Sequence, residues 1–290
     1  MNKKLAVLGL AVMMTVATVV HAAPIDDLNA SVQKYQNPTG TYQLHMTIPF
    51  KNVDTMNTDS TIDIQASPYC ARVKNVVSMG KQAPDTSWVY EEQVGNQMKT
   101  YTQETLHKGD KNKSWVYELT DIKPGETIMN AVDPKSLFAS VKTATLVGKT
   151  GNTERIKIAF DCEKLFSNWG MKHTLKESAS DPQTDADFEK EFEKLRKSGT
   201  LDGEAVITNG VLTHIDADIT KPVDAFTNVI KKGVSRKTHT GFMGNWILGM
   251  ILRTGKSTLN LDLKPLQGYV SIPAEVKNAA VPKPETTTKK

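Results

Sequence analysis

Cysteine is nearly absent from this chain: Cys70 and Cys162 are the only two among 290 residues. A framework of several disulfides is therefore excluded. Either one bridge closing a long loop or two separate buried thiols fits the pair, and neither residue sits in a nucleophile motif. Histidine is also scarce. The six, His21, His45, His107, His173, His214 and His239, include no pair at the i, i+4 spacing of a zinc helix, so no metal site is expected. A phosphate-binding loop, a dinucleotide fingerprint and a nucleophile elbow are all missing. Carboxylates are plentiful, but none is marked out by a local pattern. No catalytic residue and no cofactor is assigned, and the chain is expected not to be an enzyme. An excess of one charge is lacking too: the formal net charge is +4, which argues against nucleic acid as a main partner.

Long apolar runs are missing except at the start. Lys3 and Lys4 precede an apolar stretch from Leu5 to Val20, and Val20-His21-Ala22 supplies the small residue needed before cleavage. Residues 1–22 read as a signal peptide. Without Lys3 and Lys4 the chain keeps 34 Lys+Arg against 32 Asp+Glu, a formal +2. No Cys lies near the cleavage point to carry a lipid. The expected product is exported, periplasmic or extracellular, and not lipid-anchored. No later segment reaches the ~20 apolar residues of a membrane span.

Alternation dominates what remains. Ile25, Leu28, Val32 and Tyr35 stand at helical spacing, and Asn37–Gly40 ends that helix. Tyr42, Leu44, Met46, Ile48 and Phe50 then alternate with Thr41, Gln43, His45, Thr47 and Pro49, as a strand with one buried face requires. Ile62, Ile64 and Ala66 continue the pattern. Residues 69–79, 87–94, 97–105 and 113–120 read as further strands separated by short polar turns, an antiparallel meander. Trp88, Tyr90, Trp115 and Tyr117 fall in its middle and are read as cross-strand aromatic packing.

Asp133-Pro134 opens an expected helix with Leu137, Phe138 and Val141 on one face. A strand follows over 154–161. Thr184 caps a charged helix with a narrow stripe of Phe188, Phe192 and Leu195, closed by Gly199. Asn209-Gly210 signals a type I′ hairpin, pairing Ile207 with Leu212, Val206 with Thr213 and Ala205 with His214. That register makes the turn end apolar on both faces, so the hairpin needs a cover. His214 and Asp216 share a strand face and read as a solvent-facing polar edge rather than a metal or acid/base pair. Pro222 opens a short helix with Val223, Phe226 and Ile230 inward. Residues 241–252, GFMGNWILGMIL, are the most apolar stretch after the leader and are flanked by Lys and Arg. They are read as an interior plug, as a lid over an apolar space, or as a loop making transient contact with an anionic membrane surface. A last strand spans 257–263, Ile272-Pro273-Ala274-Glu275-Val276-Lys277 closes the fold, and residues 279–290 are expected to be disordered.

The order of a leading helix, a long alternating strand, a meander, interposed helices, a late hairpin and the closing I-P-x-E-V-K segment resembles the bacterial lipoprotein-carrier superfamily. Its LolA-like and LppX/LprG-like half-barrels are the nearest in layout. The resemblance implies an α+β fold over residues 23–278, a strongly curved antiparallel β-sheet (half-barrel) with helices covering the concave face. It further implies an extracytoplasmic carrier or sensor that binds lipids or lipidated proteins in an apolar cavity, with no catalysis. The alternative is a non-transporting cell-envelope module with a filled core that binds a protein or an envelope polymer. Leu44, Met46, Ile62 and Ile64 are the expected ligand-facing strand residues, and Phe242, Met243, Trp246, Ile247 and Met250 the expected lid. Lipid or acylated protein is the expected partner.

Overall fold

The computed structural model describes residues 24–33, 39–50, 54–104, 113–122, 138–168, 182–237 and 255–283. The leader expected over 1–22, the apolar stretch 241–252 and residues 284–290 lie outside these. So do Asp133 and Pro134.

Among the described residues twelve strands form one sheet: β1 (Gly40–Ile48), β2 (Met56–Ala66), β3 (Tyr69–Met79), β4 (Asp85–Val94), β5 (Gln97–Glu104), β6 (Ser114–Asp121), β7 (Val141–Thr150), β8 (Thr153–Asp161), β9 (Thr200–Thr208), β10 (Val211–Asp218), β11 (Thr258–Lys264) and β12 (Val281–Pro282). Their spatial order is β12-β6-β5-β4-β3-β2-β1-β11-β10-β9-β8-β7. Every neighbouring pair is antiparallel except β12, which lies parallel to β6. The helices described are α1 (Pro24–Gln33), α2 (Cys162–Asn168), α3 (Pro182–Arg196), α4 (Thr220–Lys237) and α5 (Ala274–Ala279).

Side-chain alternation decides which face is covered. Tyr42, Ile64, Ile158, Phe160, Leu261 and Leu263 are buried on one face in a cluster that takes in Leu28 and Val32 of α1, Phe166 of α2 and Phe192 and Leu195 of α3. This one cluster reaches from Ala71 on β3 to Ile158 on β8. Laid flat, those six strand steps would span roughly 29 Å, too far for a few helices to bridge. The sheet curls around the helices as an open half-barrel, and the fold is α+β as the resemblance implies. The covered face is called inner below.

Helix α3 carries the expected stripe, with Phe188 stacked on Phe192 and Phe192 edge-on to Phe166. Its Glu193 meets Lys197 at 2.9 Å. The carboxylate of Glu191 is sandwiched between Lys194 and, on α4, Lys232, each at 2.8 Å. Hydrogen bonds from the two ammonium groups hold its pKa down at about 2.

The central hairpin departs from its expected register. Asn209 (φ 53°) and Gly210 (φ 69°) form the two-residue turn, and Leu212 pairs with Ile207 as expected. A bulge then shifts the ladder, so that His214 rather than Thr213 faces Val206, and Ile215 rather than His214 faces Ala205. The Thr213 hydroxyl turns to donate to the Val206 carbonyl at 3.2 Å. The extra residue restores in-and-out order. Ala205, Ile207, Leu212 and Ile215 all become inner and buried, while His214 goes to the other face. Only the inner face of the hairpin is fully buried, and Val206 and Val211 stand half-buried on the outer side among Glu204, Thr208 and His214.

On β9, Gly203 approaches β10 closely: a Cβ there would lie 2.5 Å from the Asp216 carbonyl oxygen. Gly203→Ala is expected to push β9 and β10 apart and cost about 1–3 kcal/mol in urea unfolding. A variant as stable as the parent would show that this crossing has slack.

Several further expectations are corrected. Val141 begins β7 rather than lying on the helix expected from Asp133-Pro134; Phe138 is helical, and residues 133–137 lie outside the described residues. Helix α2 was not anticipated. Helix α4 runs for 18 residues, and Phe226 is 50% exposed while Thr227 and Val229 are buried. The fold continues past residue 278: Val281 and Pro282 pair with Val116 and Tyr117. Cys70 and Cys162 are free, each buried in a different apolar cluster.

The second cluster lies on the outer face. Tyr90 on β4, Tyr101 on β5 and Tyr117 on β6 stand in one cross-strand row. The four aromatics singled out in the sequence do pack together, but on strands separated by β5. Tyr90 tilts against Trp115 at 5.6 Å, and Lys99 sits over Tyr117 at 4.0 Å. The closing segment is their cover. Ile272 and Val276 are buried against this row, and Lys277 is anchored to Glu92, which also accepts the Tyr101 hydroxyl at 2.7 Å.

Candidate functional site: the apolar inner face

From β1 to β4 the inner face carries an apolar row whose burial relaxes, bordered on one side by a polar row of Ser60, Asn75 and Ser87. One cross-strand row runs Tyr42, Ile62, Val73, Val89. Tyr42 is 1% exposed; Ile62, Val73 and Val89 are half-buried. Met46, opposite Thr58, lies towards one end of the strands near the Met56–Met79 cross-strand pair, and all three methionines are half-buried. Among the described residues the helices bear mainly on β7, β8 and β10, at the opposite side of the sheet. Of the four strand residues nominated from sequence, Ile64 is a fully buried core residue. Leu44 and Ile62 flank that core, and Met46 stands on the half-open part. Phe242, Met243, Trp246, Ile247 and Met250 lie outside the described residues.

On the other side of the apolar row, a hydrogen-bonded polar pair stands on the inner face. The Tyr69 hydroxyl donates to Glu91 Oε2 at 3.0 Å, from β3 to β4. Glu91 is the cross-strand partner of Ala71 and Thr100, so its carboxyl points to the same side as buried Ala71 and Ile64. Burial pushes the Glu91 carboxyl above its ordinary pKa, and the Tyr69 hydrogen bond only partly offsets this. Burial and the neighbouring carboxylate likewise raise the phenol of Tyr69.

The outer face around β10 and β11 has a different chemistry. His214 Nδ1 lies 2.6 Å from Asp262 and Nε2 lies 3.1 Å from Asp216. Burial pulls the imidazole pKa down, but the two carboxylates outweigh it, and the net shift is upward. Next to it, His45 pairs with Asp59 at 2.6 Å and Arg155 forks onto Glu204 at 2.7 and 3.0 Å. The ring of His214 sits between its carboxylates rather than converging with them. Among the described residues no group of three or more His, Cys, Asp or Glu is arranged to hold a metal ion.

This pair of contacts has a pH consequence. A folded-state pKa above the ordinary histidine value of about 6.5 means that the stabilisation is complete below that value and is lost as pH rises through the folded pKa. Between about pH 5 and 9 the parent should lose on the order of 0.5–1 kcal/mol that His214→Asn does not, a figure already reduced for solvent screening. Parallel slopes in denaturant unfolding would remove His214 from the account.

The chain matches no protein-family model and no curated protein. Among solved structures it is similar to the crystal structure of LprF from Mycobacterium bovis, at 12% sequence identity and a TM-score of 0.39. The match covers 87% of this chain and 98% of that one.

The residues that sequence reading missed on the inner face are Tyr69, Val73, Val89 and Glu91. The signal was present in the spacing: Tyr69, Ala71 and Val73 alternate in phase with Ile62 and Ile64 across the tight turn at Ser67-Pro68. Phasing each strand through its turn assigns them to the inner side.

Proposed function

We propose that this chain is an extracytoplasmic carrier or sensor that binds lipids or lipidated proteins, with residues 1–22 as the cleaved leader and residues 23–278, extended by β12, as a single half-barrel domain. The observation that carries the reading is the row Ile62, Val73, Val89, continuous through Tyr42 with a closed core yet only half-buried among the described residues, with Met46 and Met56 half-buried beyond the polar row of Ser60, Asn75 and Ser87. Apolar surface held at a half-covered edge of a core favours an acyl occupant, at ~0.8 kcal/mol per methylene removed from water. Binding of this kind needs no covalent step; loading and release follow from the relative affinity of donor and acceptor. Phe242, Met243, Trp246, Ile247 and Met250 are the proposed cover, and their basic flanks suit brief contact with an anionic membrane surface.

The test is native mass spectrometry of the folded protein purified from an exporting host, before and after extraction with organic solvent. A co-purified lipid or acyl peptide, or stoichiometric uptake of added phospholipid by the stripped protein, supports the reading. A protein that is lipid-free and refuses lipid is the filled-core module instead.

A further inference from the structure

We propose that Tyr69 and Glu91 form the polar anchor of this apolar face and that it takes the ammonium group of an amphiphile whose chain lies along Val73, Val89 and Ile62. This deepens the lipid-binding reading and rests on it.

Glu91 has one partner among the described residues, the Tyr69 hydroxyl, and no cation among them faces it. The other carboxylates in well-defined contacts of this sheet are paired: Asp63 with Arg72, Glu204 with Arg155, Glu92 with Lys277 and Glu154 with Lys149. In those pairs the cation side chain is 44–60% exposed, which limits what each pair contributes. Glu91 stands where a pair would matter more, beside buried Ala71 and the apolar row, and it lacks one. An unpaired carboxyl in apolar surroundings is costly when charged and turns towards its neutral form. A ligand ammonium supplies the missing countercharge. It also returns the carboxyl to its ionised form, so uptake of a cationic head releases a proton from Glu91 wherever that group was protonated. The geometry fits an ammonium, because the phenol donates to one oxygen, Oε2, and leaves Oε1 open to accept from an N–H donor. The row Ile62, Val73, Val89 runs one strand position away and accepts the chain.

The probes are three single-chain amphiphiles of identical eighteen-carbon chain, ending in a primary amine, an alcohol or a carboxylate. They are titrated below their aggregation concentrations against the stripped full-length chain by displacement of a fluorescent fatty-acid analogue. The parent should bind the amine about tenfold more tightly than the alcohol, and the carboxylate most weakly. Glu91→Gln, which keeps the shape and the contact with Tyr69, should bring the amine to the affinity of the alcohol and leave the alcohol unchanged. In the parent, lowering the pH through the raised Glu91 pKa should weaken the amine alone. The pH series keeps the proposal testable should the variant fail to fold. Equal binding of amine and alcohol in the parent overturns the anchor and leaves the lipid-binding reading standing. Binding of none of the three overturns both.

Discussion

Phe160→Ala is expected to lower the unfolding free energy by about 3–5 kcal/mol, the largest stability effect among single apolar truncations in this sheet. Phe160 is 2% exposed, tilts against Phe138 at 6.3 Å, and fills the space left open by Gly203. Its loss leaves a cavity bounded by strands on one side and helices on the other, which cannot both close in. Val73→Ala, on the same sheet face, should cost about 1 kcal/mol or less, because Val73 is only half-buried. Urea unfolding of the two variants measures the contrast directly. A Val73→Ala penalty equal to that of Phe160→Ala would mean that the strip from β2 to β4 is closed core, and the proposed occupant would lose its place.

Val73→Asp should then separate ligand from fold. Val73 sits between Ile62 and Val89 in the half-open row, so an aspartate there puts a carboxylate against the proposed acyl chain. In the free protein the charge reaches water and the melting temperature should move by only a few degrees. In the loaded protein it is buried without a partner, and acyl affinity should fall by about a hundredfold. The readout is lipid occupancy by native mass spectrometry alongside a thermal melt. Undiminished occupancy would place the ligand elsewhere; a variant that does not fold would place Val73 in the core.

Much of the fold was legible because most strands have one wet face. Tyr42 to Ile48 and Ile156 to Phe160 alternate cleanly, and their pairing followed from it. Three features were not legible, each for a physical reason. The bulge after Leu212 inserts one residue without changing composition, yet it moves His214 and Ile215 to opposite faces. Strand β7 was missed because an edge strand with mostly exposed residues, Leu146 and Val147 among them, carries no alternation imposed by a core. Phe226 was placed inward on apolarity alone, but the buried positions of its helix include Thr227, whose hydroxyl is satisfied by the Val223 carbonyl at 2.6 Å.

The candidate site was legible in kind but not in extent. Ile62, Leu44 and Met46 were named from alternation, and they do fall on the inner face. Ile64 belongs to the core because its row meets Ala71 and the helices rather than the half-open end. Glu91 could not be chosen from sequence, where Glu91 and Glu92 are adjacent and alike. Only the pleat separates them, sending Glu92 outward to Lys277 and Glu91 inward to Tyr69.

The pairing of β1 with β11 also governs how the molecule is assembled. Gln43 and Lys264, joined across that seam, are 221 positions apart in the chain. The six strands of the meander are made first and can zip up through local turns, but β1 then shows a bare edge until nearly all of the chain has followed. Closing so long a loop is slow, and a bare, half-apolar strand invites wrong partners meanwhile. A holding factor that occupies β1 in the nascent chain, or a delay in collapse until synthesis is complete, answers that hazard. Refolding yield should therefore depend more steeply on protein concentration than final stability does.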